Sequence, residues 1–207
     1  MASESIMAKL YPGFAGGILV RMGRTHEAID PRLTAWLTSQ PVFFVATAPL
    51  AGDGHVNCSP KGNRGEFAVI GQDRVAYIDQ TGSGTETIAH LQENARIVVM
   101  FCAFTGPPRI VRLHGRGRAV LVDDPDFQEL ALSFPRPMTV GVRAVIEVEV
   151  TRIADSCGYG VPLMDFAGHR PNMEEWSNRK GTDGIRAYWV DKNGTSIDGL
   201  AGVPPPG

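Results

Sequence analysis

Residues 75–91 read VAYIDQTGSGTETIAHL, a β-rich run that passes through a polar, glycine-containing turn into a helical pattern. Ser83 and Glu86 have the spacing of a capping box, and Ile88 and Leu91 begin the apolar stripe of the helix. The first turn of a helix carries unpaired N–H groups and the positive end of the helix dipole, which suits a phosphate group. The stretch therefore predicts a strand–turn–helix unit that is either an anion cradle or simply a well-capped helix.

The chemistry of the turn favours an anion if it is a cradle. Gly82 and Gly84 allow an anion to approach the backbone, and the hydroxyl side chains add hydrogen-bond donors. The turn matches neither a Walker A loop nor the dinucleotide-binding glycine pattern. The candidate residues of the cradle are Gln80, Thr81, Ser83, Gly84, Thr85, Glu86 and Thr87.

Outside this unit, short β-rich runs alternate with turn clusters. Strands are predicted at residues 42–48, 54–59, 67–70, 74–79, 96–104, 109–122 and 142–153. Brief helices are predicted at residues 30–40, 85–94, 124–133 and 171–180, the last ending at Gly181. The strand-like residues 188–190 are expected to enter a hairpin at Asn193-Gly194. Many short strands with few helices indicate a mainly β chain of the α+β class, folded as an antiparallel barrel rather than a parallel sheet.

The length and composition fit one globular domain, since the chain has 207 residues, of which 43% are apolar and 20% charged. We divide it into an N-terminal arm at residues 1–29, a barrel domain at residues 30–155, and a C-terminal extension at residues 156–207 packed on the same domain. The helix of the barrel domain that begins at Asp30-Pro31 follows from a capping Asp and a Pro at the first helical position.

Charge and cysteine content narrow the function classes. A formal net charge of -2 supplies no global basic field, so we expect neither nucleic-acid nor membrane binding. Three widely spaced cysteines argue against a disulfide framework and favour a reducing, cytoplasmic compartment. The five histidines lie at no metal-ligand spacing, so no metal site is expected.

A second candidate segment surrounds the end of a predicted strand. Strand edges of this kind can bind a planar heterocycle through backbone groups, and Lys61 can reach a phosphate as a point charge. The alternative is a solvated turn lysine. Cys58 is interpreted as a small core residue in a strand. The candidate residues are Val56, Asn57, Cys58, Ser59 and Lys61.

A third candidate is the run RIVRLHGRGR at residues 109–118, which as a strand places Arg112, His114, Arg116 and Arg118 on one side. This face is an anion-facing wall, an inter-subunit ion-pair surface, or a plain solvated face. Gly115 and Gly117 within this strand predict a bulge or the close approach of another backbone or a ligand.

Taken in order, the motifs resemble those of the pyridoxamine 5′-phosphate oxidase-like flavoproteins. The matching stretches are SPKG at 59–62, YID at 77–79, GSGTETIAH at 82–90, NARI at 94–97, FCAF at 101–104 and RLHGRG at 112–117. The resemblance covers about residues 40–125. The segments CGYGVP at 157–162 and SIDGL at 196–200 resemble a bacterial subgroup of this family.

The resemblance implies a split β-barrel homodimer that binds FMN at the subunit interface. It places the flavin ring along residues 56–61 and the phosphate at residues 80–87, with Arg112 as a further pocket residue. The oxidases grip the phosphate with an Arg-Lys pair at the helix start, where this sequence has Glu86 and Thr87. Backbone amides, hydroxyls and Lys61 are therefore expected to bind the phosphate here.

The implied function is that of an FMN-dependent oxidoreductase with a small-molecule substrate and an electron donor that the motifs do not specify. The flavin performs the redox chemistry, and no side chain is assigned as an essential acid or base. The resemblance leaves three alternatives open: a reductase that uses a deazaflavin coenzyme, a haem-binding member of the fold, and a non-catalytic flavin-binding or storage dimer.

Overall fold

The computed structural model describes residue 23 and residues 25–205. Most of the arm expected at residues 1–29 and the very end of the C-terminal tail lie outside the described residues. Within the described part, the chain forms eight strands, four α-helices and a short π-helical turn.

All strand pairs in the described residues are antiparallel. The main path across the sheet is β3-β2-β6-β7-β8-β5-β4, and β1 pairs with the end of β8 off this path. The strands are β1 (Thr25–His26), β2 (Phe43–Thr47), β3 (Asn57–Lys61), β4 (Phe67–Val69), β5 (Arg74–Gln80), β6 (Arg96–Cys102), β7 (Ile110–Leu121) and β8 (Val142–Ser156). The predicted mainly β, antiparallel barrel is confirmed.

The sheet curls so that its two ends approach each other. Phe43 on β2 and Phe67 on β4 lie near opposite ends of the path, yet their ring centroids are 5.4 Å apart. Phe101 stacks on Phe43 at 5.3 Å, and Tyr77 meets the same ring edge-on at 5.5 Å. The aromatic rings fill the inside of the barrel, and the inner positions of β8, such as Ile146, extend the same core.

The alternation predicted for β8 is confirmed, because Ile146, Val148 and Val150 all join the core cluster. The close approach predicted at Gly115 is also confirmed. The β7–β8 register shifts between His114 and Gly115, and a Cβ added at Gly115 would collide with the carbonyl oxygen of Glu149. Only a glycine lets the two backbones come this close.

The helices are α1 (Pro31–Ser39), α2 (Glu86–Asn94), α3 (Phe127–Ala131) and α4 (Asn172–Tyr188). The predicted start of α1 is confirmed, since the Asp30 carboxylate accepts a 2.7 Å hydrogen bond from the Leu33 amide. Gly181 breaks α4 as predicted, with a φ of 66°, but helical structure then resumes and continues to Tyr188.

The strand and hairpin predicted at residues 188–194 were wrong. Tyr188 ends α4, and Trp189–Asn193 forms the π-helical turn. Trp189 is buried in the core and donates from its indole nitrogen to the Thr81 hydroxyl at 2.8 Å. Because aromatic residues favour strands mainly through the packing that they find there, this packing against the barrel overrides the local preference.

Two smaller corrections concern the second predicted strand and its cysteine. The strand begins at Asn57 instead of residue 54, since the preceding residues form a turn. Cys58 is exposed on β3 and is not a core residue, whereas Cys102 is buried. No helix in the described part of the chain has both the length and the apolar character that a membrane crossing requires.

Candidate functional site

A cleft of about 360 Å³ opens between β3 and the turn that leads from β5 into α2. The barrel brings these segments together because β3 and β5 lie toward opposite ends of the curled sheet. The cleft contains part of both predicted candidate segments, namely Asn57, Ser59, Lys61, Gln80, Ser83, Gly84, Glu86 and Thr87. The two candidate segments, which are separated in the sequence, therefore line the same cleft.

The turn presents backbone to the cleft. A Cβ added at Gly82 would meet no atom within 4 Å, so the space beside this residue is open. The amides in the first turn of any α-helix have no intrahelical partners, and within the described residues no side chain caps α2 to bind them. The start of α2 has the geometry that suits an anion, and Gly82, Ser83 and Gly84 form the edge of the cleft beside it.

The capping box predicted from Ser83 and Glu86 does not form. The helix begins at Glu86 with Thr85 as its N-cap residue, so Ser83 lies too early in the chain to cap it. The Glu86 carboxylate folds back against Gly84, where an added Cβ would collide with it. This places one negative charge at the edge of the cleft.

The four hydroxyl residues of the predicted cradle separate into two groups. Ser83 and Thr87 line the cleft, and the Thr87 hydroxyl accepts a 3.0 Å hydrogen bond from the Asn57 amide group. Thr81 is fully buried and accepts from the Trp189 indole. Thr85 is buried against Gly202 and does not line the cleft.

The other candidates outside the cleft are on strand surfaces. Val56 and Cys58 are both exposed and do not line it. Arg112 donates to the Ser156 hydroxyl at 2.7 Å across the β7–β8 pair, and it does not line the cleft either. The structure therefore does not bring these three residues together with the turn.

A buried ion-pair cluster forms the floor of the cleft. The Asp79 carboxylate, at the end of β5, accepts from Lys61 Nζ at 2.7 Å and from Arg143 Nε at 2.6 Å. The side chains of Asp79 and Arg143 are 0% and 5% exposed, while that of Lys61 is 21% exposed. Two cations around one carboxylate leave a net positive charge beneath the turn.

The cluster controls the ionisation of Asp79. Burial alone would raise the pKa of this carboxyl, but the positive charges of Arg143 and Lys61 outweigh burial and lower the pKa to about 2. Asp79 is therefore ionised at neutral pH, and the positive charges of the cluster exceed its negative charge by one.

This low pKa predicts an acid-sensitive contribution to stability. The folded-state pKa lies below the ordinary value of 3.8, so the contribution is complete above about pH 5 and is lost as the pH falls through about 2. Between pH 7 and pH 2 the loss from Asp79 amounts to about 2 kcal/mol. Urea unfolding of the wild type and of Asp79→Asn at both pH values checks this. The free energy of unfolding should depend on pH more weakly in the variant, and an equal dependence would contradict the prediction.

Sequence reasoning missed Arg143 and the role of Asp79. Arg143 also donates from Nη1 to the Gly84 carbonyl at 2.8 Å, which connects β8 directly to the turn. Its one signal in the sequence is its charge, because it is the second residue of a predicted strand and the next three residues are apolar. Glu66 was missed too: it is buried at the other end of the cleft and accepts from Gln80 and Arg136.

Comparison with known proteins places the chain in a family. Residues 29–157 match the family model described as pyridoxamine 5′-phosphate oxidase. The pyridoxamine 5′-phosphate oxidase family protein ustO of Aspergillus flavus is 38% identical over 192 residues, which cover 86% of this chain and 77% of ustO.

Solved structures with a similar course of the chain are more distant in sequence. HupZ of Group A Streptococcus is 20% identical, with a TM-score of 0.47 over 60% of this chain and 91% of HupZ. An FAD-binding protein of Mycobacterium smegmatis is 17% identical, with a TM-score of 0.42 over 62% of this chain and 94% of that protein. The family assignment depends on the family model and on ustO: the chain belongs to the pyridoxamine 5′-phosphate oxidase family.

Proposed function

We propose that the protein binds FMN in the cleft between β3 and the start of α2 and acts as an FMN-dependent oxidoreductase on a small molecule. The observation that carries this proposal is the turn at residues 82–84, which borders an open cleft above a buried cluster with net positive charge. Membership of the pyridoxamine 5′-phosphate oxidase family supports a flavin as the ligand. The cleft also falls within the usual volume range of small-molecule sites, about 300–1,000 Å³.

The residues of the cleft fit a phosphorylated flavin. Amides at the start of α2 and the Ser83 hydroxyl would hold the phosphate, and Lys61 and Arg143 would supply the positive charge. Asn57 and Ser59 on β3 would bind polar atoms of the ring and the ribityl chain. Arg143 would thus replace part of the positive charge that the Arg-Lys pair of the oxidases supplies at the start of the helix.

Bound FMN supplies hydride or electron transfer, and the protein supplies binding, orientation and exclusion of water. Asn57 is itself fixed, because it donates to Thr87 and accepts from the Ser59 hydroxyl, both at 3.0 Å. A wall that is already ordered in this way holds a ring in one orientation at a low entropic cost. No side chain of the cleft is assigned as a general acid or base.

The proposal includes a homodimer with the cofactor at the subunit interface. Residues 157–171 have almost no regular structure, yet they expose several large apolar side chains. Such contiguous exposure is typical of a surface that a partner covers. The exposed residues are Tyr159, Leu163, Met164 and Phe166. Light scattering coupled to size exclusion should give the mass of two chains.

One feature favours a deazaflavin coenzyme as the second candidate. The Glu86 carboxylate lies at the edge of the cleft and opposes a doubly charged phosphate more strongly than a singly charged one. The phosphate of a deazaflavin coenzyme is a diester with a single negative charge, whereas that of FMN is a monoester that carries nearly two at neutral pH.

The purified protein decides between these candidates. We expect it to be yellow, with a flavin absorption band, and mass spectrometry of the released ligand should give the mass of FMN. The mass of a deazaflavin would select the second candidate, and a haem spectrum would identify a haem protein. A colourless protein that binds no added FMN would contradict the proposal. Reduction by NAD(P)H with repeated turnover distinguishes an enzyme from a storage protein, which would accept electrons only once.

A further inference from the structure

We propose that Asn193, at the end of the C-terminal π-helical turn, is a positioning residue of the cofactor site that directs the Ser83 amide toward the phosphate. This inference rests on the proposed function, since it assigns a role within the same phosphate site. It joins the C-terminal extension, which the family model does not cover, to the cleft of the barrel.

Asn193 holds the turn from behind. Its side chain is fully buried, and its Nδ2 donates to the Gly82 carbonyl at 3.0 Å, across 111 positions of sequence. Its Oδ1 accepts from Arg143 Nη1 at 3.1 Å, and the same Arg143 nitrogen donates to the Gly84 carbonyl at 2.8 Å. The Ser83 carbonyl lies farther from the same Asn193 nitrogen, at 3.5 Å. The carbonyl groups of the turn are thereby directed toward one buried amide–guanidinium pair.

The direction of the carbonyls determines the direction of the amides. In a planar trans peptide the C=O and the following N–H point to opposite sides. The Gly82 carbonyl points to Asn193, so the Ser83 amide points away from it; the Gly84 carbonyl points to Arg143, so the Thr85 amide points away from it. Neither amide has a hydrogen-bond partner among the described residues. Of the two, Ser83 lines the cleft, so its amide is the donor that this arrangement leaves for a phosphate.

Asn193 is itself held firmly by its surroundings. Its backbone carbonyl accepts from the Val203 amide at 2.8 Å, and Gly202 lies so close that a Cβ there would collide with the Asn193 carbonyl and the Thr85 side chain. The neighbouring Trp189 donates to Thr81 at 2.8 Å, one residue before the turn. The C-terminal extension therefore contacts both ends of the turn, and Asn193 is its only side chain that reaches the turn carbonyls within the described structure.

The test compares FMN with riboflavin, which lacks the phosphate, in apo-protein freed of cofactor. Asn193→Ala should weaken FMN binding about tenfold, the loss expected for misdirected donors, and leave riboflavin binding unchanged. Ser196→Ala is the matched control, because Ser196 is a buried polar residue of the same extension whose hydroxyl caps only a local turn at Leu200. The control should leave both affinities unchanged. If Asn193→Ala is unfolded at the assay temperature, Asn193→Ser replaces it with the same expectation.

The outcomes separate the inference from the proposed function. An equal loss for both ligands would show a merely structural role, and no loss for either would show no role; each result overturns the inference. If the wild type binds FMN no more tightly than riboflavin, the phosphate site itself is wrong, and the proposed function fails independently of Asn193.

Discussion

Replacement of Arg143 by methionine is expected to lower the free energy of unfolding by about 3–5 kcal/mol, the range for a buried charge that loses its partner. Asp79 is 0% exposed and depends on two cations, of which Arg143 is the more deeply buried. Without it, the carboxylate retains only Lys61, and the Gly84 carbonyl loses its donor. Chemical denaturation at pH 7 measures the loss.

Two further variants show whether the buried charge is the cause. Arg186→Met removes an ion pair with Asp123 that is partly exposed on both sides, and it should change stability by about 1 kcal/mol or less. Adding Asp79→Asn to Arg143→Met removes the buried carboxylate that has lost its more deeply buried cation, so the double variant should be more stable than Arg143→Met alone. A double variant less stable than the single one would contradict this explanation.

The second large effect concerns cofactor affinity. Lys61→Ala should weaken FMN binding by about 1.5–3 kcal/mol, the range for one hydrogen bond to a charged group. Lys61 lines the cleft, and its loss leaves Asp79 paired with Arg143, so the protein should still fold. Fluorescence titration of the apo-protein with FMN measures the change.

Lys180→Ala is the matched control for this experiment. It removes the same charge from helix α4, where Lys180 lies over the Trp176 and Tyr188 rings and does not line the cleft. FMN affinity should be unchanged in this variant. If Lys61→Ala binds FMN as tightly as Lys180→Ala does, Lys61 is a structural ion-pair partner of Asp79 and contributes nothing to the phosphate.

The barrel could be predicted from the sequence because its signals are local. Strand β8 shows a clear alternation of apolar and polar residues, and the Asp30-Pro31 pair defines the start of α1. The strand–turn–helix unit at residues 75–91 was readable for the same reason. The alternation of a strand and the capping residue of a helix both depend on residues that are close together in the sequence, so a single sequence is sufficient to reveal them.

The buried side of the site could not be predicted, because it consists of long-range pairs. Asp79 and Arg143 are 64 positions apart, and neither has a local partner that marks it. Trp189 and Asn193 were interpreted as parts of a strand and a hairpin, since their packing against the turn is invisible in the local sequence. The same packing takes the Thr81 hydroxyl away from the cleft, and the expected capping box is lost because α2 begins at Glu86.

A crystal structure of the protein grown with FMN tests the central claim most directly. We expect a phosphate oxygen within hydrogen-bonding distance, about 3 Å, of the Ser83 amide nitrogen, with Lys61 close to the same group. An FMN phosphate bound elsewhere on the molecule, with the Ser83 amide facing solvent or another protein group, would contradict the account.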